Sequence, residues 1–356
     1  MEKSKLQLTS ETNTCFWNDS CSVEELKYAI ENGAVGATAN PVIIAEVLRK
    51  EMYLWKDKIY QIIDEMPTAT EDEIAWKVME EISVSGAKLL QPIFYHQKGH
   101  NGRLSFQTDP KYYRNASKIA EQAVYFSSLA PNMIVKIPVT KAGIEAIEEA
   151  TYQGVSINAT ICFTVSQCIA VAEAVESGFK RREKEDKDIS SMGPVCTVMV
   201  GRLDDWLKVV AERDDIVTEP AYLEWPGVAV MKKAYQIYKE RGYRIRLLSA
   251  ATRNHMHWSE FIGGDVVVTL IHQWQKRFNA SDVEVIARID NPVDQSIIEE
   301  LARKFTDFRR AYEEEGMTVD EFDDFGATRR TLRGFISGYE SFVSVIRDFM
   351  LPNPDK

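Results

Sequence analysis

The run MIVKIPVT, residues 133–140, reads as a buried strand into which a single lysine has been set. Met133, Ile134, Val135, Ile137 and Val139 surround Lys136, and a short β-branched run of this kind predicts a strand covered on both faces. Seven further runs recur along the chain: Thr14–Asn18, Val35–Ala39, Leu104–Thr108, Ser156–Ile161, Val195–Val200, Ile245–Ala250 and Val266–Leu270. Longer amphipathic segments separate them. That alternation predicts a parallel sheet with covering helices, and eight parallel strands close naturally into an α/β barrel of the (β/α)8 TIM type. A doubly wound open sheet is the alternative. No GxGxxG follows any of the eight runs, which disfavours its dinucleotide-binding form.

Barrels of this type run to about 250 residues and beyond as one domain. The 356 residues are therefore expected to form a single domain, with a barrel core over 13–272 and a helical C-terminal extension over 273–356. Ser22 followed by Glu25 predicts a capping box ahead of ELKYAIENG, a helix that Gly33 ends. Another helix is expected over Ser166–Gly178. The stretch from Val42 to Gly102 must hold two or three helices between the second and third strands, more than a minimal barrel needs. Residues 271–356 are charged, helical in pattern and expected to wrap the outside of the barrel. KRREKEDKD, residues 180–188, reads as a mixed-charge surface loop or helix end.

Composition bounds the partners. A net charge of −11 argues against nonspecific nucleic-acid binding, which needs a basic surface to replace phosphate counterions. It leaves room for a small anionic substrate, because two well-placed arginines reverse the field locally. Residues 1–12 are polar and lack the apolar stretch of a signal peptide, and no apolar run is long enough for a membrane span. The five cysteines are scattered without a CxxC pair, so reduced thiols and a cytoplasmic location are expected.

Chemistry in such a barrel sits at the C-terminal ends of the strands. There the sequence places Asp19, Asn40, Gln107, Lys136, Asn158, Thr160, Arg202 and Arg253. By the period of two, Lys136 shares a face with Ile134 and points into the lumen. Burial and nearby cations lower a lysine's pKa and leave an amine able to attack a carbonyl. A strand lysine can instead snorkel or pair with an acid; the strand by itself leaves both open, and Asp19 as a proton shuttle favours the nucleophile. Arg202, in VMVGRLDDW, and Arg253, in SAATRNHMHW, each follow a strand at a helix start, where a guanidinium fork suits phosphate. Pairing with Asp204 or Asp205 is the alternative for both. His255 and His257 in NHMHW have no carboxylate nearby in sequence, and no metal is expected. Cys162 and Cys168 are expected to face the core.

The segments CFWNDS around Asp19, ATANPVII around Asn40, VKIPVT around Lys136, GVSINATICFT around Asn158 and Thr160, and VGRLDDW around Arg202 resemble the successive signatures of the transaldolase family. Their order and spacing match over residues 14 to 270. VKIPVT with a downstream NATICFT is fairly specific, whereas VGR or ATRN alone is weak. The resemblance implies that Lys136 forms a Schiff base with a ketose phosphate and holds its dihydroxyacetone unit, while Asp19 shuttles protons. It implies that Asn40 and Asn158 hold donor hydroxyls, that Thr160 positions a water, and that Arg202 with Arg253 binds the phosphate. It implies phosphorylated sugars as substrates, a place in the pentose phosphate pathway, and no cofactor. The oligomeric state stays open, a homo-oligomer included.

The chain also departs from the family's pattern. In RLSFQTDP, Gln107 stands where transaldolases usually carry a glutamate, as in the smaller fructose-6-phosphate aldolases of the same family. Met199 replaces the usual phenylalanine, Thr197 replaces a serine expected to contact substrate, and Ala251 replaces the serine before the second arginine. Glutamine cannot accept a proton but can orient water. The expected activity is therefore transfer of a dihydroxyacetone unit from a ketose phosphate to an aldose phosphate. The alternatives are an aldolase releasing free dihydroxyacetone, an enzyme for another anionic sugar such as a sulfonated one, and a non-catalytic sugar-phosphate-binding barrel.

Overall fold

Each apolar run becomes a strand in the computed structural model, which describes residues 3–355: β1 (Cys15–Asn18), β2 (Gly36–Thr38), β3 (Arg103–Gln107), β4 (Met133–Pro138), β5 (Ile157–Cys162), β6 (Val195–Val198), β7 (Arg246–Ser249) and β8 (Val266–Leu270). Every strand pairs in parallel with its sequence neighbours, and β8 returns to β1, which closes the (β/α)8 barrel. Closure leaves no open edge, and the covering helices hide the outer face.

Helix α1 (Lys5–Ser10) precedes the barrel and α2 (Val23–Glu31) follows β1. Three helices fill the long stretch after β2: α3 (Pro41–Lys50), α4 (Met52–Glu65) and α5 (Glu71–His96). Strands β3 to β6 are followed in turn by α6 (Ala116–Ser127), α7 (Lys141–Tyr152), α8 (Val165–Glu183) and α9 (Val200–Arg213). Around β7 and β8 lie α10 (Pro226–Arg241), α11 (Met256–Ser259) and α12 (His272–Asn279). The charged run 180–188 divides between the last turn of α8 and the turn after it. The capping box at α2 is half made. Ser22 accepts the N–H of Glu25, but the Glu25 carboxylate turns to Lys50 at 3.2 Å, an ion pair that outcompetes the local bond back to the cap.

The lumen is apolar below and polar above. Trp17, Ile134, Val195, Leu248, Ala250 and Val267 form a cluster of their own inside the barrel, apart from the larger core between sheet and helices. One step of two residues along β4 leads from Ile134 to Lys136, and the register sets Gln107, Lys136 and Asn158 side by side on three adjacent strands.

The chain ends with α13 (Gln295–Lys304), α14 (Thr306–Tyr312) and α15 (Gly326–Met350). The expected outside wrap describes α13 and α14, where Ile297, Leu301, Phe308 and the intervening Phe305 pack on Leu207 and Ala229 of α9 and α10. Helix α15 takes another course. Its Gly338 meets Val42, just beyond β2, so closely that a Cβ would lie 2.3 Å from Val42 Cγ2, and its Phe335 packs on Arg202, just beyond β6. Those two strands are opposed in an eight-stranded barrel, so α15 bridges the mouth at the strands' C-terminal ends.

Candidate active site

Beneath α15 lies a cavity of about 260 Å³ whose lining includes Asp19, Asn40, Lys136, Met199, Arg202 and Arg253. Five of the nine residues singled out in the sequence thus line one cavity. Gln107, Asn158, Thr160 and Thr197 are buried and are not part of that lining. A groove of about 450 Å³ adjoins the cavity through Asp19, Ile43, Glu46 and Ile271.

Lys136 is 3% exposed. Burial pushes its pKa down to about 8, Asp19 opposes the shift, and the Arg202 guanidinium adds to it. At pH 7 about a tenth of such a lysine is a free amine, against roughly one in three thousand for an ordinary one. That is the environment a nucleophilic amine needs. Asp19 opposite it accepts a hydrogen bond from Thr38, whose hydroxyl also meets Thr269 at 3.0 Å. Thr38 lies two residues before Asn40, so the period of two already placed it in the lumen.

The asparagines have different duties. Asn40 caps α3: its Oδ1 accepts the N–H groups of Val42 and Ile43 at 2.9 and 3.1 Å. The cap uses the amide oxygen and leaves Nδ2 without a partner among the described residues. Asn158 accepts from the Thr197 hydroxyl at 2.6 Å and donates to Ser105 at 3.0 Å, which locks its amide between β3 and β6. Ser105, two residues before Gln107, was likewise legible from periodicity. Gln107 has a buried Oε1 with no partner among the described residues, an acceptor held ready beside Lys136.

Thr160 stands where the backbone is strained. Ile161, a β-branched residue, has φ 59°, and the β5–β6 register slips between Ala159 and Cys162. Such bulges re-aim side chains next to active sites. The Thr160 hydroxyl lies 3.9 Å from Met199 Sδ, a weak acceptor. Cys162 and Cys168 are buried, with sulfurs 3.5 Å apart.

The two arginines differ. Arg202, in the first turn of α9, has no carboxylate partner among the described residues; burial first, then Arg253, holds its pKa below the usual value. Arg253 sits in the loop after β7 and is engaged by Asp205, at 3.0 Å from Nε and 2.8 Å from Nη2. The pairing left open by the sequence is therefore realised for Arg253 and not for Arg202. His257 is buried against Asp204. Sequence reasoning missed Phe335, because nothing local to a helix so far downstream signals a contact with Arg202.

The family model described as Transaldolase/Fructose-6-phosphate aldolase matches residues 16–326. A transaldolase of Thermobifida fusca is 28% identical over 249 residues, covering 67% of this chain and 66% of that protein. A transaldolase of Thiobacillus denitrificans is 30% identical over 247 residues, covering 66% and 67%. Transaldolase 2 of a Nostoc species is 27% identical over 295 residues, covering 71% and 76%. The chain thus spans just under two thirds of the Thermobifida protein. Among the described residues no helix is long and apolar enough to cross a membrane.

Proposed function

Because the chain belongs to the transaldolase/fructose-6-phosphate aldolase family, we propose that it is a Schiff-base enzyme that moves a dihydroxyacetone unit from a ketose phosphate to an aldose phosphate. The observation that carries this reading is the buried Lys136, with its pKa pushed down to about 8, facing Asp19 and Arg202 in one cavity.

The neutral Lys136 amine attacks the ketone and loses water to give an iminium. Asp19 takes the proton of the hydroxyl on the far carbon of the bond that breaks. That carbon becomes the carbonyl of the departing aldose, and the iminium accepts the electron pair of the broken carbon–carbon bond as an enamine. Addition of the enamine to an acceptor aldehyde returns the proton from Asp19, and water then frees the lysine. Asn40 and Asn158 hold hydroxyls of the donor, Thr197 fixes Asn158, and Thr160 with Gln107 orients the water. Arg202 binds the phosphate, with Arg253 at its edge. The substrates are those of the pentose phosphate pathway or close analogues, and the protein works in the cytoplasm as one domain.

Borohydride with fructose 6-phosphate should leave a three-carbon adduct on Lys136, read by mass spectrometry. An adduct on a different lysine, or none with any of a panel of ketose phosphates, rules the proposal out. A second reading, release of free dihydroxyacetone, is favoured by Gln107, whose unpartnered Oε1 beside Lys136 can guide water to the iminium.

A further inference from the structure

Behind the cavity wall, outside the set of residues that would touch substrate, lies a buried acid–imidazole pair. His257 and Asp204 are both fully buried, with Nε2 and Oδ2 2.8 Å apart. The other ring nitrogen, Nδ1, accepts the backbone N–H of Arg253 at 3.1 Å. Since Nδ1 must be an acceptor there, the neutral ring carries its proton on Nε2 and donates it to Asp204. The second oxygen of Asp204 accepts the N–H of Gly227, in the first turn of α10, at 2.8 Å. Every polar atom of the pair is thus committed, and the chain of bonds runs from α10 through α9 to the backbone of the β7 loop.

That chain of bonds ends on Arg253, which α9 holds twice. Asp204 and Asp205 are consecutive on α9: one holds the Arg253 backbone through His257, and the other holds the Arg253 guanidinium directly. The loop does not adopt this shape by default, for Ala251 has φ 65°. A buried acid that merely filled space would be replaced without loss by an apolar side chain. A hydrogen-bonded chain aimed at one backbone N–H does something an apolar residue cannot, which is to fix the register of that loop.

We infer that His257 and Asp204 are positioning residues for Arg253 and so set the protein's affinity for the anionic end of its substrate. The inference rests on the reading of Arg253 as a phosphate ligand in the function proposed above. It assigns no contact between the pair and the reacting atoms. The Schiff-base step at Lys136 lies on the other side of the cavity wall and does not depend on the pair.

The test uses inorganic phosphate as an anion probe, by calorimetry, and dihydroxyacetone as a neutral one, by borohydride trapping on Lys136. Asp204→Asn is isosteric, yet its amide must present a donor either to Gly227 N–H or to Nε2, which breaks the chain at one end or the other. His257→Gln keeps a polar atom near Nε2 and loses the acceptor for Arg253. His257→Asn keeps an acceptor near Nδ1. Asp204→Asn and His257→Gln should weaken phosphate binding by about tenfold, the loss also expected of Arg253→Ala, with His257→Asn closer to wild type and trapping of dihydroxyacetone unchanged in the Asp204 and His257 variants. If Arg253→Ala weakens phosphate binding and the other variants do not, the positioning role is wrong while the phosphate reading stands. If Arg253→Ala itself has no effect, the phosphate reading of Arg253 fails and the inference falls with it. Equal losses for both probes mean the pair only supports the fold, which also overturns it. Should Asp204→Asn fail to fold, the contrast between His257→Asn and His257→Gln decides by the same criteria.

Discussion

The guanidinium carbon of Arg202 stands 5.2 Å from the ring centroid of Phe335, so the C-terminal helix α15 caps the cation proposed to bind the substrate's phosphate. The ring offers the cation its negative face without competing for its N–H donors, in contrast to the carboxylate that engages Arg253. A buried cation–aromatic contact is worth about 0.5–2 kcal/mol. Phe335→Leu should therefore raise KM for phosphorylated ketoses by about two- to thirtyfold and leave borohydride trapping of dihydroxyacetone at Lys136 unchanged. Equal loss with both substrates would mean that Phe335 only closes the mouth.

Gly201 explains how the two arginine loops come so close. A Cβ there would fall 1.9 Å from the Ala251 carbonyl oxygen and 2.6 Å from Arg253 Cγ. Backbone cannot yield as a side-chain tip does, so Gly201→Ala should push the start of α9 from the β7 loop. Overpacking of this kind costs about 1–3 kcal/mol. Thermal melts should show that loss, accompanied by weaker phosphate affinity. A variant with wild-type melting and phosphate affinity would mean that the two loops are free to separate.

The barrel was readable in the sequence because eight parallel strands must each be apolar on both faces, and few other folds ask that of a chain. The lumen was readable because a polar residue in such a strand conflicts with its surroundings, as Lys136 does within MIVKIPVT, and the period of two then orients it. Contacts made across the fold leave no local trace. The capture of Arg253 by Asp205, 48 residues away, depends on how two loops meet, and the sequence offered that carboxylate equally to Arg202. The C-terminal segment was legible only as charged and helical, and the course of α15 across the mouth depends on Gly338 meeting Val42. The bulge at Ile161 was hidden too, since a β-branched residue is the last that local preference would place at positive φ.

Lys136 should cost the fold stability. Its pKa lies near 8 against an ordinary 10.5, so between those values the unfolded chain binds more protons than the folded one. Wild-type stability therefore rises with pH through that window, and the penalty is fully present below about 8. At about 1.4 kcal/mol per pH unit the penalty is on the order of 3 kcal/mol. Lys136→Met, which removes the charge and fills the space, should melt higher than wild type at pH 7, with the gap narrowing toward pH 10. A gain in melting temperature that did not vary with pH would show that packing, not desolvation, is responsible.

Gln107 allows the chemistry and the electrostatics to be tested together. It stands beside Lys136 across the β3–β4 register, with its Oε1 unpartnered. Gln107→Glu would set a carboxylate next to the amine. An adjacent negative charge favours the ammonium, so the Lys136 pKa should move up from about 8. The rising limb of kcat/KM against pH follows deprotonation of the free enzyme's amine, and it should shift to higher pH by the same amount. Schiff-base trapping should persist above that limb. The carboxylate also supplies a base that glutamine lacks, so release of free dihydroxyacetone without an acceptor should change relative to transfer. An unshifted limb would mean that the Gln107 side chain does not sense Lys136 and that its place in the water-orienting role is wrong. If wild-type protein discharges dihydroxyacetone rapidly with no aldose phosphate present, transfer gives way to the aldolase reading. An intermediate discharged only by an aldose phosphate supports transfer instead.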